Sequence, residues 1–202
     1  MRSYEGDGPG DEDPFVWFQA SLQRAAAQES FDATRAALAT VGASGQPSVR
    51  FVLVKEVDDT GFVFFTNYES RKARELREHP RAALAFHWVS TGEQVRVEGA
   101  VLRITDAESD AYFATRPRGS QLGAWASAQS APIATQDELE AKLERVRQRY
   151  PETAVVPRPA HWGGYRLVPS LIEFWQDRRD RLHERIAFTR EGSRWVRTRL
   201  QP

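Results

Sequence analysis

The 202-residue chain contains no cysteine and a single methionine. No disulfide, thiolate metal site or redox-active thiol pair can form, so any electron transfer must use something other than protein sulfur. Basic and acidic residues number 28 each, for a formal net charge of zero. No overall field therefore draws nucleic acid or an anionic membrane, and any anion site must be local. No apolar run approaches the roughly 20 residues that span a bilayer, and the acidic start is unlike a signal peptide. These features predict a soluble, cytoplasmic protein. No Gly-x-Gly-x-x-Gly follows a strand pattern and no Walker-type loop occurs, which excludes the usual dinucleotide and P-loop sites. No His, Asp and Glu cluster has metal-ligand spacing, so no metal is expected.

What is present reads as one domain over 13–202, preceded by a segment, 1–12, rich in Gly, Asp and Glu and expected to be mobile. Asp13-Pro14 reads as an N-cap with proline in the first turn, and Phe15, Phe18 and Leu22 follow at helical spacing, predicting a helix over 14–28. From about 35 to 104 the texture is β: Ala36–Val41, Val49–Val57, Phe62–Thr66, Ala82–Trp88 and Val95–Ile104 are short strands parted by turns, with a short helix between Ser70 and His79-Pro80. Thr105 with Glu108, and Thr135 with Glu138, announce two helices, the second stopped by Pro151. Tyr165–Gln176, Arg181–Thr189 and Arg194–Leu200 read as three final strands. This order predicts a mainly β fold with flanking helices (α+β), a small barrel rather than a doubly wound sheet.

Several constellations point to an anion. Arg181, His183 and Arg185 recur at a spacing of two; on a strand they share one face while Leu182 and Ile186 point the other way, and such a row calls for a phosphate or carboxylate beside an imidazole. Two flanking arginines disfavour a protonated His183. Arg50-Phe51-Val52-Leu53-Val54-Lys55 sets two cations in an apolar strand. Charged strand ends account for that fragment equally well, and a separation of five puts the two cations on opposite faces unless a bulge intervenes. Phe65-Thr66-Asn67-Tyr68-Glu69-Ser70-Arg71-Lys72 runs from a strand into a helix N-terminus, where free N–H groups, the helix dipole and two cations suit a phosphate; first turns otherwise favour acidic residues. Tyr112 and Arg116 are four apart in Tyr112-Phe113-Ala114-Thr115-Arg116-Pro117-Arg118-Gly119-Ser120-Gln121, and an arginine fork donates two hydrogen bonds to a phosphate. Gly123–Ser130, a small-residue helix around Trp125, reads by itself as packing.

Ile172-Glu173-Phe174-Trp175-Gln176, a four-residue gap, then Arg181-Leu182-His183-Glu184-Arg185 resembles the C-terminal signature of the pyridoxamine (pyridoxine) 5'-phosphate oxidases. The other motifs follow in that family's order from about Asp13 to Pro202. The resemblance implies an FMN-binding split β-barrel, a homodimer with FMN at the subunit interface, and oxidation of pyridoxamine or pyridoxine 5'-phosphate to pyridoxal 5'-phosphate with O2 as acceptor. It assigns FMN contacts to Arg50, Phe51, Val52, Leu53, Phe65, Thr66, Arg71, Lys72, Gln94, Gln129, Ser130, Trp175 and Arg185. It assigns the substrate to Lys55, Tyr112, Arg116, Ser120, Arg181 and His183, the last two beside the reacting ring as the catalytic pair. Trp175 also reads as an ordinary barrel-core aromatic.

Four departures from the family pattern stand out. The lid motif Arg-x-x-Tyr is compressed to Arg2-Ser3-Tyr4, Glu93 stands where Arg is usual, Asp177 replaces a Gly that suits a turn, and Glu184 replaces the commoner Asp. Two alternatives remain: a related oxidase of another ring system, as in phenazine biosynthesis, and a non-catalytic flavin- or haem-binding barrel. The first would not need the phosphate set of Lys55, Tyr112, Arg116 and Ser120, and the second would not need His183.

Overall fold

The computed structural model describes residues 13–202; the lid motif and the segment 1–12 lie outside them. The elements, in order, are α1 (Pro14–Gln28), β1 (Arg35–Val41), β2 (Pro47–Asp58), β3 (Gly61–Asn67), α2 (Arg71–Glu78), β4 (Arg81–Trp88), β5 (Glu93–Arg103), α3 (Asp106–Thr115), α4 (Arg118–Ala126), α5 (Gln136–Arg149), β6 (Trp162–Gln176), β7 (Glu184–Glu191) and β8 (Arg194–Leu200).

All strand pairs are antiparallel. The order β3-β2-β1-β4-β5-β6 closes on itself through β3–β6 pairing, making a six-stranded barrel, and β7 and β8 continue from β6. The long β6 makes this split. At about 3.3 Å per residue its 15 residues span roughly 50 Å. Its first half, Trp162 to Leu167, seals the barrel against β3, and its last part, Leu171 to Gln176, carries β7. On its other side β5 runs alongside from Tyr165 to Gln176, with a bulge at Glu98/Gly99. A side chain at Gly99 would meet the Val168 carbonyl oxygen at 2.0 Å, so only glycine allows that approach.

Alternation explains the barrel interior: Leu38, Val54, Phe62, Phe64, Leu84, Phe86, Val95, Val97 and Ile172 are all essentially buried. The expected cap starts α1, with Asp13 accepting the Phe15 N–H at 2.8 Å. Phe18 then reaches Phe62 and Phe86 edge-on at 4.9 and 5.0 Å, so α1 fills the barrel's open end. Thr105 and Glu108 form a complete capping box on α3. On α5 Thr135 accepts the Glu138 N–H, while Glu138 turns to the Ala134 N–H instead.

Two local expectations change. The strand expected at Arg181–Thr189 begins only at Glu184, because Asp180 and Arg181 take left-handed backbone angles (φ 59° and 60°) in a 3-10 turn over 179–181. Arg181, His183 and Arg185 therefore do not form a row on one strand face. Asp177 is not among the positive-φ residues, so glycine is not required there. In β2, a bulge between Val54 and Glu56 falls at Lys55. Alternation is regular up to that point, and Arg50 and Lys55 still meet different surroundings.

Candidate active site

β3 ends at Thr66-Asn67 and the chain turns at once into α2, which brings Lys72 beneath Thr66. Lys72 is buried, and its ammonium donates to Thr66 Oγ1 and Gln129 Oε1, both at 3.0 Å. Ser70 sits at the N-cap position without capping; its hydroxyl instead lies 3.4 Å from the same ammonium. Burial, reinforced by the charge of Arg50, lowers Lys72 to about 8, against the opposing pull of Glu75.

One helical turn along from Arg71, Glu75 is buried and accepts from Thr40, Ser48 (2.7 Å), Arg50 (3.2 Å) and Arg71 (2.8 Å). Burial alone would raise this carboxyl, but the Thr40 and Ser48 hydroxyls with Arg71 and Arg50 outweigh it and hold it at about 2. Arg50 also donates to Thr40 and Ser48, and the Arg71 N–H donates to Ser130 Oγ at 3.2 Å. Arg50, Arg71 and Lys72 thus converge around one carboxylate, leaving an excess of positive charge.

Beside this network opens a cavity of about 410 Å³, sharing Thr66 and Gln129 with it. β2 supplies Leu53 and Lys55, β3 Phe65 and Asn67, α3 Tyr112, the residue after its end Arg116, α4 Ser120, and β6 Trp162. Phe65, Tyr112 and Trp162 form a cluster of near-parallel rings, with centroids 3.8 Å apart for Phe65 and Tyr112, 5.4 Å for Phe65 and Trp162, and 6.3 Å for Tyr112 and Trp162. The Arg116 guanidinium lies 4.5 Å over Trp162. Its Nη1 is buried and has no hydrogen-bond partner among the described residues. Burial lowers the Arg116 pKa and raises that of Tyr112, each opposed by the other group. A buried donor left unmade costs about 1–3 kcal/mol, more when charged, so an acceptor reaching this guanidinium would be strongly favoured. Lys55 is tethered at 3.4 Å to Asp32. Arg158 fixes the wall: it bridges Asp106 (2.8 Å) and Asp110 (2.6 Å) of α3 to the Trp162 carbonyl (2.6 Å).

The remaining expected residues gather elsewhere. Gln94 pairs with Trp175 across β5 and β6, and Trp175 pairs with Arg185 across β6 and β7. Arg185 holds Glu173 at 2.7 Å, as Arg96 does at 2.6 Å. His183 packs on Trp175 with ring centroids 4.5 Å apart, and its charged contact is Asp177, at 3.1 Å, rather than a pair of arginines. None of Gln94, Trp175, Arg181, His183 and Arg185 lines the cavity. Phe51 and Val49 stand out from β2, each about 70 % exposed (72 % and 69 %), while Val52 is half-buried. One chain therefore carries two halves of the expected set.

Sequence reasoning missed Glu75, Trp162 and Asp177 as organising residues. Only Glu75 had a local signal, its i,i+4 spacing from Arg71. The departures at Glu93 and Glu184 find partners: Glu93 is buried against Arg24 (2.8 Å), and Glu184 takes Arg178 (2.7 Å) and Arg199 (3.0 Å). Among the described residues no helix is long and apolar enough to cross a membrane, and no cluster of His, Asp and Glu could hold a metal.

Residues 23–150 match the model of the pyridoxamine 5'-phosphate oxidase family, and 162–202 that of the pyridoxine 5'-phosphate oxidase C-terminal dimerisation region. Relatives named pyridoxine/pyridoxamine 5'-phosphate oxidase share 56% identity in Thermosynechococcus vestitus, over all of this chain and 94% of the relative. The one from Anaeromyxobacter dehalogenans also shares 56%, over 94% of this chain and 96% of the relative. Among solved structures, PhzG from Burkholderia lata 383, in complex with tetrahydrophenazine-1-carboxylic acid, superposes with a TM-score of 0.90 at 30% identity, covering 100% of this chain and 97% of the other. A pyridoxamine 5'-phosphate oxidase-related, FMN-binding protein from Nostoc punctiforme shares the fold, with a TM-score of 0.74 at 18% identity over 94% and 98% of the two chains.

Proposed function

Because the chain belongs to the pyridoxamine 5'-phosphate oxidase family, we propose that it binds FMN and oxidises pyridoxamine and pyridoxine 5'-phosphates to pyridoxal 5'-phosphate, with O2 as final acceptor and H2O2 as by-product, the amine substrate also consuming water and releasing ammonia. The observation that carries this is Arg116, whose buried Nη1 has no hydrogen-bond partner among the described residues, lining a cavity together with Lys55, Tyr112 and Ser120. Two cations and two hydroxyls suit a phosphate dianion held at several oxygens.

The donor set fits FMN as well. Arg50, Arg71 and Lys72, with Thr66, Gln129 and Ser130, would hold its phosphate, and Gln94, Trp175 and Arg185 would meet it from the other half of the site. Bound flavin supplies two-electron acceptance, which no side chain of this cysteine-free protein offers. The side chains bind and orient: Arg116 and Lys55 fix the substrate phosphate, and Arg181 and His183 meet the reacting ring. The separation of the two halves within one chain, together with the matched dimerisation region, supports a homodimer in which each site draws on both subunits.

The other reading, a phenazine-type oxidase, takes support from the PhzG superposition. That ligand's carboxylate is also an anion, but it carries one charge, and four donors suit two. The higher identity to the vitamer oxidases points the same way. Aerobic turnover of FMN-loaded protein decides between them. Pyridoxal 5'-phosphate and H2O2 should appear in equal amounts from either phosphorylated vitamer, whereas oxidation of a reduced phenazine carboxylate alone would favour the second reading.

The lowered Lys72 gives a pH signature. In the flavin-free protein Lys72 loses its proton through about pH 8. A bound dianion stabilises the ammonium, so binding takes up a proton above that point and weakens as pH rises. FMN affinity should fall between about pH 8 and 9.5, by at most about tenfold per unit for one proton. Riboflavin, which lacks the phosphate, should show no such slope. Fluorescence-quenching titrations of both flavins read this directly; parallel slopes would remove Lys72 from the phosphate site.

A further inference from the structure

The segment joining α5 to β6 lies in no helix or strand and is pinned by side chains instead. Arg118 donates to the carbonyls of Tyr150 (2.7 Å), Pro151 (2.8 Å) and Ala154 (2.8 Å), and the Trp125 indole N–H to that of Pro157 at 2.8 Å. Within this segment the Arg158 side chain is buried, and each of its three guanidinium nitrogens has an acceptor of its own. Nε donates to Asp110 at 2.6 Å, Nη2 to Asp106 at 2.8 Å and Nη1 to the Trp162 carbonyl at 2.6 Å. Asp106 and Asp110 are four residues apart and share one face of α3. The guanidinium therefore ties that helix to the residue that begins β6. Arg158 does not line the cavity and lies outside both stretches matched to the family.

What this tie controls is the place of Arg116. That residue follows α3 directly, and its guanidinium sits over rings, 4.5 Å from Trp162 and 5.6 Å from Phe113. Its Nη1 has no hydrogen-bond partner among the described residues. Ring contacts set a cation's direction less sharply than hydrogen bonds do, so the guanidinium goes where Trp162 and the end of α3 put it. Buried Ser109 accepts the Gly164 N–H at 3.2 Å and gives α3 one contact with β6. A second attachment, through Asp106 and Asp110, limits rolling of the helix about the first. Such a roll would swing Tyr112 and Arg116 relative to Trp162.

Resting on the functional reading above, we infer that Arg158 is a positioning residue for the substrate phosphate: by joining Asp106 and Asp110 of α3 to the Trp162 carbonyl, it holds Arg116 where it meets the phosphate. The clamp acts on affinity rather than on the redox step, because neither Arg158 nor the two aspartates line the cavity. The aspartate side chains are 82% and 60% exposed, so solvent screens them and the effect is several-fold, well below that of removing Arg116 itself.

The test is a double-mutant cycle on FMN-loaded protein. Asp106→Ala combined with Asp110→Ala frees α3 from the clamp while Arg158 keeps its bond to the Trp162 carbonyl. This pair should raise KM for pyridoxine 5'-phosphate about fivefold, with kcat and flavin content changed less than about twofold. Arg158→Lys, whose single ammonium replaces the planar fork, should raise KM in the same way. In an Arg116→Ala background the aspartate pair should change kcat/KM less than about twofold, because the residue through which the clamp acts is gone. An unchanged KM, a fall in kcat at constant KM, or an effect of full size in the Arg116→Ala background would each overturn the inference. Should the wild type oxidise neither vitamer phosphate, the functional reading fails by itself. Equilibrium dialysis of pyridoxine 5'-phosphate then gives Kd in place of KM, and the same fold-changes decide the inference.

Discussion

Replacing Arg116 with alanine should raise KM for pyridoxine 5'-phosphate and cut kcat/KM by roughly 30- to 1,000-fold, leaving flavin content and kcat at saturation close to wild type. The estimate corresponds to about 2–4 kcal/mol, the range for truncating one partner of a desolvated, hydrogen-bonded ion pair. Three features put Arg116 at the upper end of the site's residues. Its Nη1 is buried without a hydrogen-bond partner among the described residues, its guanidinium lies over Trp162, and its wall is fixed by Arg158. Arg116→Lys keeps the charge but loses both the fork and the flat stack on Trp162, so it should recover only part of the loss. Steady-state kinetics with a parallel flavin measurement make the check. Flavin release from Arg116→Ala would move this residue to the cofactor half, and an unchanged KM would take it out of the site.

The second large effect is expected at Glu75. Glu75→Gln keeps the shape but removes the charge that Arg50 and Arg71 face, and it should destabilise the protein by about 2–3 kcal/mol in urea unfolding at pH 7. Breaking a fully buried ion pair costs about 3–5 kcal/mol. The lower figure applies because the Arg71 side chain is 56% exposed and solvent screens its share. The sign of the pH dependence follows from the lowered carboxyl. With a folded value of about 2 against an ordinary 4.5, Glu75 contributes stability that is fully present above about pH 4.5 and is lost as pH falls through 2. The gap between wild type and Glu75→Gln should therefore narrow on acidification. A gap that stays constant down to pH 2.5 would mean that the ionised carboxylate is not what holds α2 against β1 and β2.

Much of the fold was legible because its signals are local. Asp13-Pro14, the Thr105/Glu108 box and the alternation in β4 and β5 each act within a few residues, and each appears at its expected place. A barrel rather than a doubly wound sheet followed from short strands with close turns and from the absence of glycine-rich phosphate loops. The failures share a different cause. The late start of β7 depends on left-handed angles at Asp180 and Arg181, which the alternating pattern of 181–185 concealed. Glu75 joins α2 to Thr40 on β1 and to Ser48 and Arg50 on β2, partners 25 to 35 residues away in sequence, and only the closed barrel brings them together.

The site divides in the same way. Lys55, Tyr112, Arg116 and Ser120 were singled out from two separate stretches of sequence, and the structure gathers them around one cavity. Trp162 carried no chemical signal along the chain, yet it is the surface on which Arg116 rests and a member of the ring cluster with Phe65 and Tyr112. Asp177 looked like a misfit in a glycine turn and instead meets His183. Both readings needed the distance between side chains, which spacing along the chain does not supply.

The most direct test of the account is anaerobic. FMN-loaded protein is mixed with pyridoxine 5'-phosphate in the absence of O2, and the visible flavin absorbance is followed. The account predicts rapid bleaching with formation of one pyridoxal 5'-phosphate per flavin, recovery of the yellow colour on admitting O2, and far slower bleaching by pyridoxine without its phosphate. Flavin that stays oxidised with both phosphorylated vitamers, or that bleaches equally fast with the phosphate-free one, would contradict it.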